Sequence, residues 1–182
     1  MKEVEVLLQA GVILYPTDTI WGIGCDATNA CAIERVVQIK GRDRANKNLI
    51  VLVADLDMLK NYVESVPDEA IALMQTVKEP LTIIYPNIRN LPLHLLSSNG
   101  SLGIRIVQHD YCQRLIRALG RPLVSTSANV SGKQSPLCFE QVELCIRQGV
   151  DYIADVEHDK ISAYHCSHIY ALNGDKTVTK LR

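Results

Sequence analysis

A chain of 182 residues, 47% of them hydrophobic and 21% charged, can bury a sizeable core and suits one domain or at most two small ones. Its formal net charge of -1 excludes a general pull toward nucleic acid or an anionic membrane, so any such contact would need a local patch. No apolar run approaches a transmembrane helix and the N-terminus lacks a signal-peptide pattern. The six cysteines, without CxxC pairs or zinc-type spacing, read as free thiols of a cytoplasmic protein.

In chain order, Val4 to Gln9 reads as a short amphipathic helix ended by Gly11, and Val12 to Tyr15 as a strand stopped by Pro16. Thr17-Asp-Thr-Ile-Trp-Gly-Ile-Gly24 reads as a loop with hydroxyls, a carboxylate, the only Trp and two glycines. Thr28 or Asn29 caps a helix to about Lys40, with Ile33, Val36, Val37 and Ile39 on its apolar face. The unbroken apolar run Leu49 to Val53 is a buried strand. Asp55 or Asp57 starts a helix through Tyr62, and Pro67 opens another that ends near Lys78. Leu81 to Tyr85 is a strand, and Asn87 to Asn99 is mostly loop with one helical turn. Leu102 to Val107 is a strand with a charge inside it, Tyr111 to Leu119 a helix, and Leu123-Val124 a short strand. Phe139 to Gln148 is a helix, Tyr152 to Ala154 a strand, and 166–172 with 176–182 form a terminal pair. Alternating strands and helices make this an α/β chain, one compact domain over 1–182 around a twisted sheet.

Two polar stretches carry the candidate chemistry. Lys40-Gly-Arg-Asp-Arg-Ala-Asn-Lys47 sets Lys40, Arg42, Arg44 and Lys47 against Asp43, on a loop between two core elements and outside the core. Ser125-Thr-Ser-Ala-Asn-Val-Ser-Gly132 also follows an apolar strand, offers hydroxyls and an amide, and can bend at Gly132. Facing one cavity, the two would form an anion site; apart, they read as a solvated loop and an ordinary turn. Arg105, inside an apolar strand, either meets a carboxylate of the protein or waits for an anionic ligand. No GxSxG elbow, Ser-His-Asp order or P-loop occurs. His158, His165 and His168 gather near Cys166, without a further partner at metal-site spacing. Cations, hydroxyls and amides without a nucleophile point to positioning and charge stabilisation.

Tyr15-Pro-Thr-Asp-Thr-Ile-Trp-Gly-Ile-Gly24, Lys40-Gly-Arg42 and Ser125-Thr-Ser-Ala-Asn-Val-Ser-Gly132 together resemble the YrdC-like family of threonylcarbamoyl-AMP synthases. Its KxR…SxN signature corresponds to Lys40, Arg42, Ser127 and Asn129, and the resemblance covers nearly the whole chain. It implies the single-domain type, a twisted mixed sheet with flanking helices around a positively charged cavity. It implies that L-threonine, bicarbonate and ATP, with Mg2+, give L-threonylcarbamoyladenylate and pyrophosphate. Partner proteins would use that product to modify adenosine 37 of tRNA. The resemblance also implies that Thr19, Arg105, Ser125 and Ser167 border the threonine. Lys40, Arg42, Lys47, Ser101, Ser127, Asn129, Ser135 and Arg182 would surround the ATP.

The chain departs from the family where Asp43 and Asn48 replace proline and where Lys78-Glu-Pro-Leu-Thr82 lacks the usual Pro-Gly. Cys166-Ser-His168 replaces Pro-Ser-Thr, which puts His168 in question at the threonine end. Two other classes stay open: a double-stranded RNA or tRNA-binding module, and a diverged paralogue of the same fold without synthase activity. The near-neutral charge and a basic cluster confined to 40–47 argue against RNA as the main ligand.

Overall fold

The strand-forming runs assemble into one mixed sheet in a computed structural model that describes residues 1–41, 49–155, 157 and 166–182. Its strands are β1 (Ile13–Tyr15), β2 (Gly22–Gly24), β3 (Ile50–Val53), β4 (Leu81–Tyr85), β5 (Leu102–Ile106), β6 (Leu123–Ser127), β7 (Tyr152–Ile153), β8 (His168–Leu172) and β9 (Val178–Lys180). They lie in the order β7-β1-β2-β6-β3-β5-β4-β8-β9, with β1/β7, β3/β5 and β4/β8 parallel and the other neighbours antiparallel. The helices are α1 (Lys2–Leu8), α2 (Ala30–Ile39), α3 (Leu56–Lys60), α4 (Asp68–Thr76), α5 (Asp110–Leu119) and α6 (Leu144–Gly149). Among the described residues no helix is long and apolar enough to cross a membrane.

Side-chain alternation sorts the core into two layers. Val12, Leu14, Val51, Val53 and Val124 join a large cluster with Ala32, Ile33, Val36 and Val37 of α2. Their strand neighbours Ile13, Tyr15, Leu52 and Leu123 point the other way. They pack with Leu7 of α1 and Tyr111, Cys112, Leu115 and Ile116 of α5. Burial on this second face pushes the Cys112 thiol pKa upward, and all six cysteines are free.

Local signals set most element ends. Asn29 caps α2 by accepting from the Ala32 amide at 3.1 Å, while Thr28 serves Asp26 instead. Asp55 caps α3 through the Met58 amide at 3.0 Å.

Three expectations are corrected. The segment expected to be a loop through Gly24 contains β2, which pairs with β1 and β6. A Cβ on Gly24 would lie 1.8 Å from the Val124 carbonyl oxygen, so this close strand approach requires glycine, a residue of weak strand preference. Strand β6 continues to Ser127 because its polar end is paired on both sides, Ser127 with Gly22 and Ser125 with Ile50. The helix expected over Phe139–Gln148 is broken into a 3-10 turn (Phe139–Gln141) and α6. Arg147 explains the break: its guanidinium donates to the Phe139, Glu140 and Val142 carbonyls and lies 4.4 Å from the Phe139 ring centre.

Asp151 ties the sheet edge to α2. It accepts from both terminal nitrogens of Arg35, at 2.7 and 2.9 Å, and from the Val12 amide at 2.7 Å. The Arg35 hydrogen bond is the main cause holding its carboxyl pKa below the ordinary value. A depressed carboxyl pKa stabilises the fold above the unfolded value, near pH 4, and that contribution is lost as pH falls further. Asp151→Asn should therefore cost about 1 kcal/mol at neutral pH, since the pair is partly solvated. The gap from wild type should close as pH falls below about 4; urea melts at decreasing pH measure it.

Candidate functional site

On the α1/α5 face of the sheet, α5 covers Leu52 and Leu123, while the same face of β4, β5 and β8 borders a cavity of about 970 Å³. Alternation brings Thr82 and Ile84 of β4, Gly103 and Arg105 of β5, and Ile169 of β8 to its wall. Ile50, Ser125 and Ser127 line its other side.

At one end stands a hydroxyl cluster around a guanidinium. Arg105, only 3% exposed, forms an ion pair through Nη2 with Asp18 Oδ1 at 3.2 Å, and its Nη1 reaches Thr19 Oγ1 at 3.5 Å. The protein carboxylate is thus present, and Arg105 also lines the cavity. Its Nε has no hydrogen-bond partner among the described residues. The Thr17 hydroxyl donates to the Ile20 carbonyl at 2.8 Å and accepts the Thr19 amide at 3.1 Å, which fixes the turn that presents Thr19. Across the cavity Thr82 Oγ1 and Ser167 Oγ share a hydrogen bond of 2.8 Å, and Ser167's carbonyl accepts from Arg182 Nε and Nη2 at 3.3 and 3.2 Å.

Elsewhere the wall is lined by Ser97, Ser98, Ser101, Ser127, Ser135 and Arg182. Ser97 donates to the Ser101 carbonyl at 2.8 Å, and Asn99 Oδ1 accepts the Ser101 amide at 3.1 Å, closing a hydroxyl-rich loop on itself. Trp21 also contributes to the wall, its ring 5.1 Å from that of Phe139.

Of the residues marked in the sequence, Thr19, Ser101, Arg105, Ser125, Ser127, Ser135, Ser167 and Arg182 come together on this cavity. Arg42 and Lys47 lie outside the described residues, as do His158 and His165.

Lys40 corrects the expectation of a loop cation outside the core. It is fully buried at the end of α2, where its ammonium donates to the Ser127 carbonyl and, at 2.8 Å, to that of Asn129. The lysine is a strut behind the Ser127–Asn129 segment and is not part of the described cavity wall. Asn129 is also off the wall, its amide nitrogen donating to the Val130 and Lys133 carbonyls at 3.0 and 2.7 Å. These bonds close the bend at Gly132, whose φ of +85° is a conformation suited to glycine. Since Ile169 faces the cavity, its neighbour His168 belongs to the opposite face of β8, whereas Cys166 lies on the wall.

Sequence reading missed Asp18, Thr17 and Thr82. A signal existed for Thr82, the one polar residue in the apolar strand Leu81–Tyr85, as Arg105 is in its own.

The fold and site define an α/β protein with a cavity bordered by many hydroxyls and a buried guanidinium at one end. Its residues 5–182 match the profile of the Sua5/YciO/YrdC family, described as "Telomere recombination", and the chain belongs to that family. The threonylcarbamoyl-AMP synthase of Vibrio cholerae is 34% identical over 167 residues, 90% of this chain and 87% of that protein; relatives of that name are enzymes. P. abyssi Sua5 complexed with L-threonine is 26% identical and superposes over the whole chain with a TM-score of 0.87. This chain spans 52% of that protein's length. E. coli YciO, 27% identical, has a TM-score of 0.84 over all of this chain and 86% of its own.

Lys40 generates a stability prediction opposite to that for a surface cation. Removing its ammonium leaves the buried Asn129 carbonyl without its Lys40 donor, at roughly 1–3 kcal/mol, while the Ser127 carbonyl keeps the Asn129 amide at 2.9 Å. Lys40→Met, which keeps most of the volume, should lose about 1–3 kcal/mol in urea unfolding, nearly as much as Lys40→Ala. A loss below about 0.5 kcal/mol would mark the lysine as solvated.

Proposed function

We propose that this chain is an L-threonylcarbamoyladenylate synthase, making the adenylate and pyrophosphate from L-threonine, bicarbonate and ATP. We infer that its product feeds the threonylcarbamoyl modification of adenosine 37 in tRNA through partner proteins that consume it. The observation that carries the reading is one cavity with two kinds of wall: a guanidinium among hydroxyls at one end and a longer serine-rich lining with Arg182 elsewhere. The synthase names among relatives similar over most of their length support it.

In this reading the threonine carboxylate meets Arg105, whose fork suits two carboxylate oxygens, with Thr19, Ser125 and Ser167 around the amino acid. The amine nitrogen bonds to the bicarbonate carbon and water leaves, giving a carbamate. A carbamate oxygen then attacks the α-phosphorus as the bond to the bridging oxygen breaks and pyrophosphate departs. Ser101, Ser127, Ser135 and Arg182 hold the nucleotide, and Arg42 and Lys47 are assigned to its phosphates. Lys40 and Asn129 act by keeping Ser127 and the bend behind it in place. Magnesium would enter with the ATP substrate and would offset phosphate charge as pyrophosphate leaves. The described lining offers it hydroxyls rather than carboxylates, which agrees with an ion carried by phosphate and water.

Pyrophosphate release should require threonine and bicarbonate together; undiminished release without threonine would rule the reading out. Because the site offers positioning groups, intact-mass spectrometry after turnover should find no adenylyl group on the chain. Arg105→Lys should lower catalytic efficiency by about ten- to a hundredfold, as an ammonium cannot reproduce the fork.

A further inference from the structure

Thr82 is a buried hydroxyl in an apolar strand, and the folding of β4 gives no reason for it. Among the described residues the one hydrogen-bond partner of its Oγ1 is the Ser167 hydroxyl, at 2.8 Å. Its neighbours on both sides set its rotamer. A Cβ built on Gly103 of β5 would lie 3.2 Å from the Thr82 methyl, so that methyl occupies the room the glycine leaves. A β-branched side chain is stiff at χ1. With the methyl toward β5, the hydroxyl turns toward the start of β8, where Ser167 stands.

The Ser167 backbone is held without this bond. Its carbonyl accepts from Arg182 Nε and Nη2, and the next amide, that of His168, donates to the Pro80 carbonyl at 2.8 Å. What the Thr82 hydroxyl fixes is the Ser167 side chain. The two hydroxyls carry two hydrogens and spend one on the bond they share. Thr82 is the deeper of the pair, 1% exposed against 7% for Ser167. A buried hydroxyl hydrogen without an acceptor is costly, and Ser167 Oγ is the acceptor Thr82 has.

We propose that Thr82 is a positioning residue for the amino-acid end of the cavity: it donates to Ser167 Oγ and so makes Ser167 a dedicated donor to the ligand. The Ser167 hydrogen is then the one left for the cavity, and a hydroxyl that accepts one hydrogen bond donates the next more strongly. An amino acid with a carboxylate and a hydroxyl supplies the acceptor. Thr82 acts through Ser167, and Gly103 keeps Thr82 turned the right way. The inference rests on the reading that the cavity takes an amino acid.

A double-mutant cycle on the full chain tests it, with L-threonine and ATP affinities measured by calorimetry. Thr82→Val keeps the shape and removes the hydroxyl; it should weaken threonine about tenfold, the size of one hydrogen bond. ATP affinity should hold, and Thr82→Ser should bind threonine as wild type does. Ser167→Ala should also weaken threonine about tenfold. Adding Thr82→Val to it should cost less than about twofold more, because the hydroxyl that Thr82 orders is gone. Additive losses, a parallel loss of ATP affinity, or a Thr82→Ser variant as weak as Thr82→Val each overturn the proposal. So does unchanged threonine affinity in Thr82→Val. If Thr82→Val does not fold, Thr82→Ala carries the same cycle. Failure of wild type to bind threonine overturns the amino-acid reading and this inference with it, whereas additive losses in a chain that binds threonine overturn this inference alone.

Discussion

The sheet is wider than the helices that cover one of its faces. Nine strands about 4.8 Å apart span roughly 38 Å, whereas two packed helices cover only about 20 Å. Helices α1 and α5 cover β1, β3 and β6, and the cavity takes up the same face of β4, β5 and β8. Arg105 sits where covered and open areas meet, paired in register with Leu52, which packs in the α1/α5 layer. The site is therefore a consequence of incomplete coverage. Its polar residues occupy positions that would otherwise belong to a core.

Polar groups in such a position must be satisfied from behind, and this chain does so repeatedly. Asp18 backs Arg105, Lys40 backs the carbonyls of Ser127 and Asn129, and the Ser167 hydroxyl meets Thr82. Each partner comes from a distant part of the sequence. The cost of leaving a buried polar group unpaired is what makes these long-range ties necessary. The same ties hold the cavity-facing atoms before any ligand arrives, so little ordering remains to be done on binding.

The parts of this architecture readable from sequence were those set by local rules. Apolar runs marked β3, β4 and β5, capping residues marked α2 and α3, and a charge within a strand marked Arg105. Strand β2 was not readable, because Gly22 and Gly24 serve the approach of a strand a hundred residues away in sequence rather than any local preference. Lys40 was misread for a related reason. Its neighbours Gly41 to Lys47 look solvated, and only the fold reveals that its ammonium turns inward to carbonyls of the 127–129 segment. The ordered motifs placed Thr19, Ser125 and Ser127 on the cavity wall, but not a support such as Asp18, which is defined by three-dimensional pairing.

The cavity wall also contains the chain's only tryptophan. Trp21 is 1% exposed, lines the space beside Gly22, and lies against Phe139, which Arg147 stacks upon in turn. Indole emission responds to the polarity and charge of its surroundings, and no second indole contributes a background. Occupancy of the cavity is thereby coupled to an intrinsic optical signal, so filling and emptying can be followed in the unmodified protein in real time.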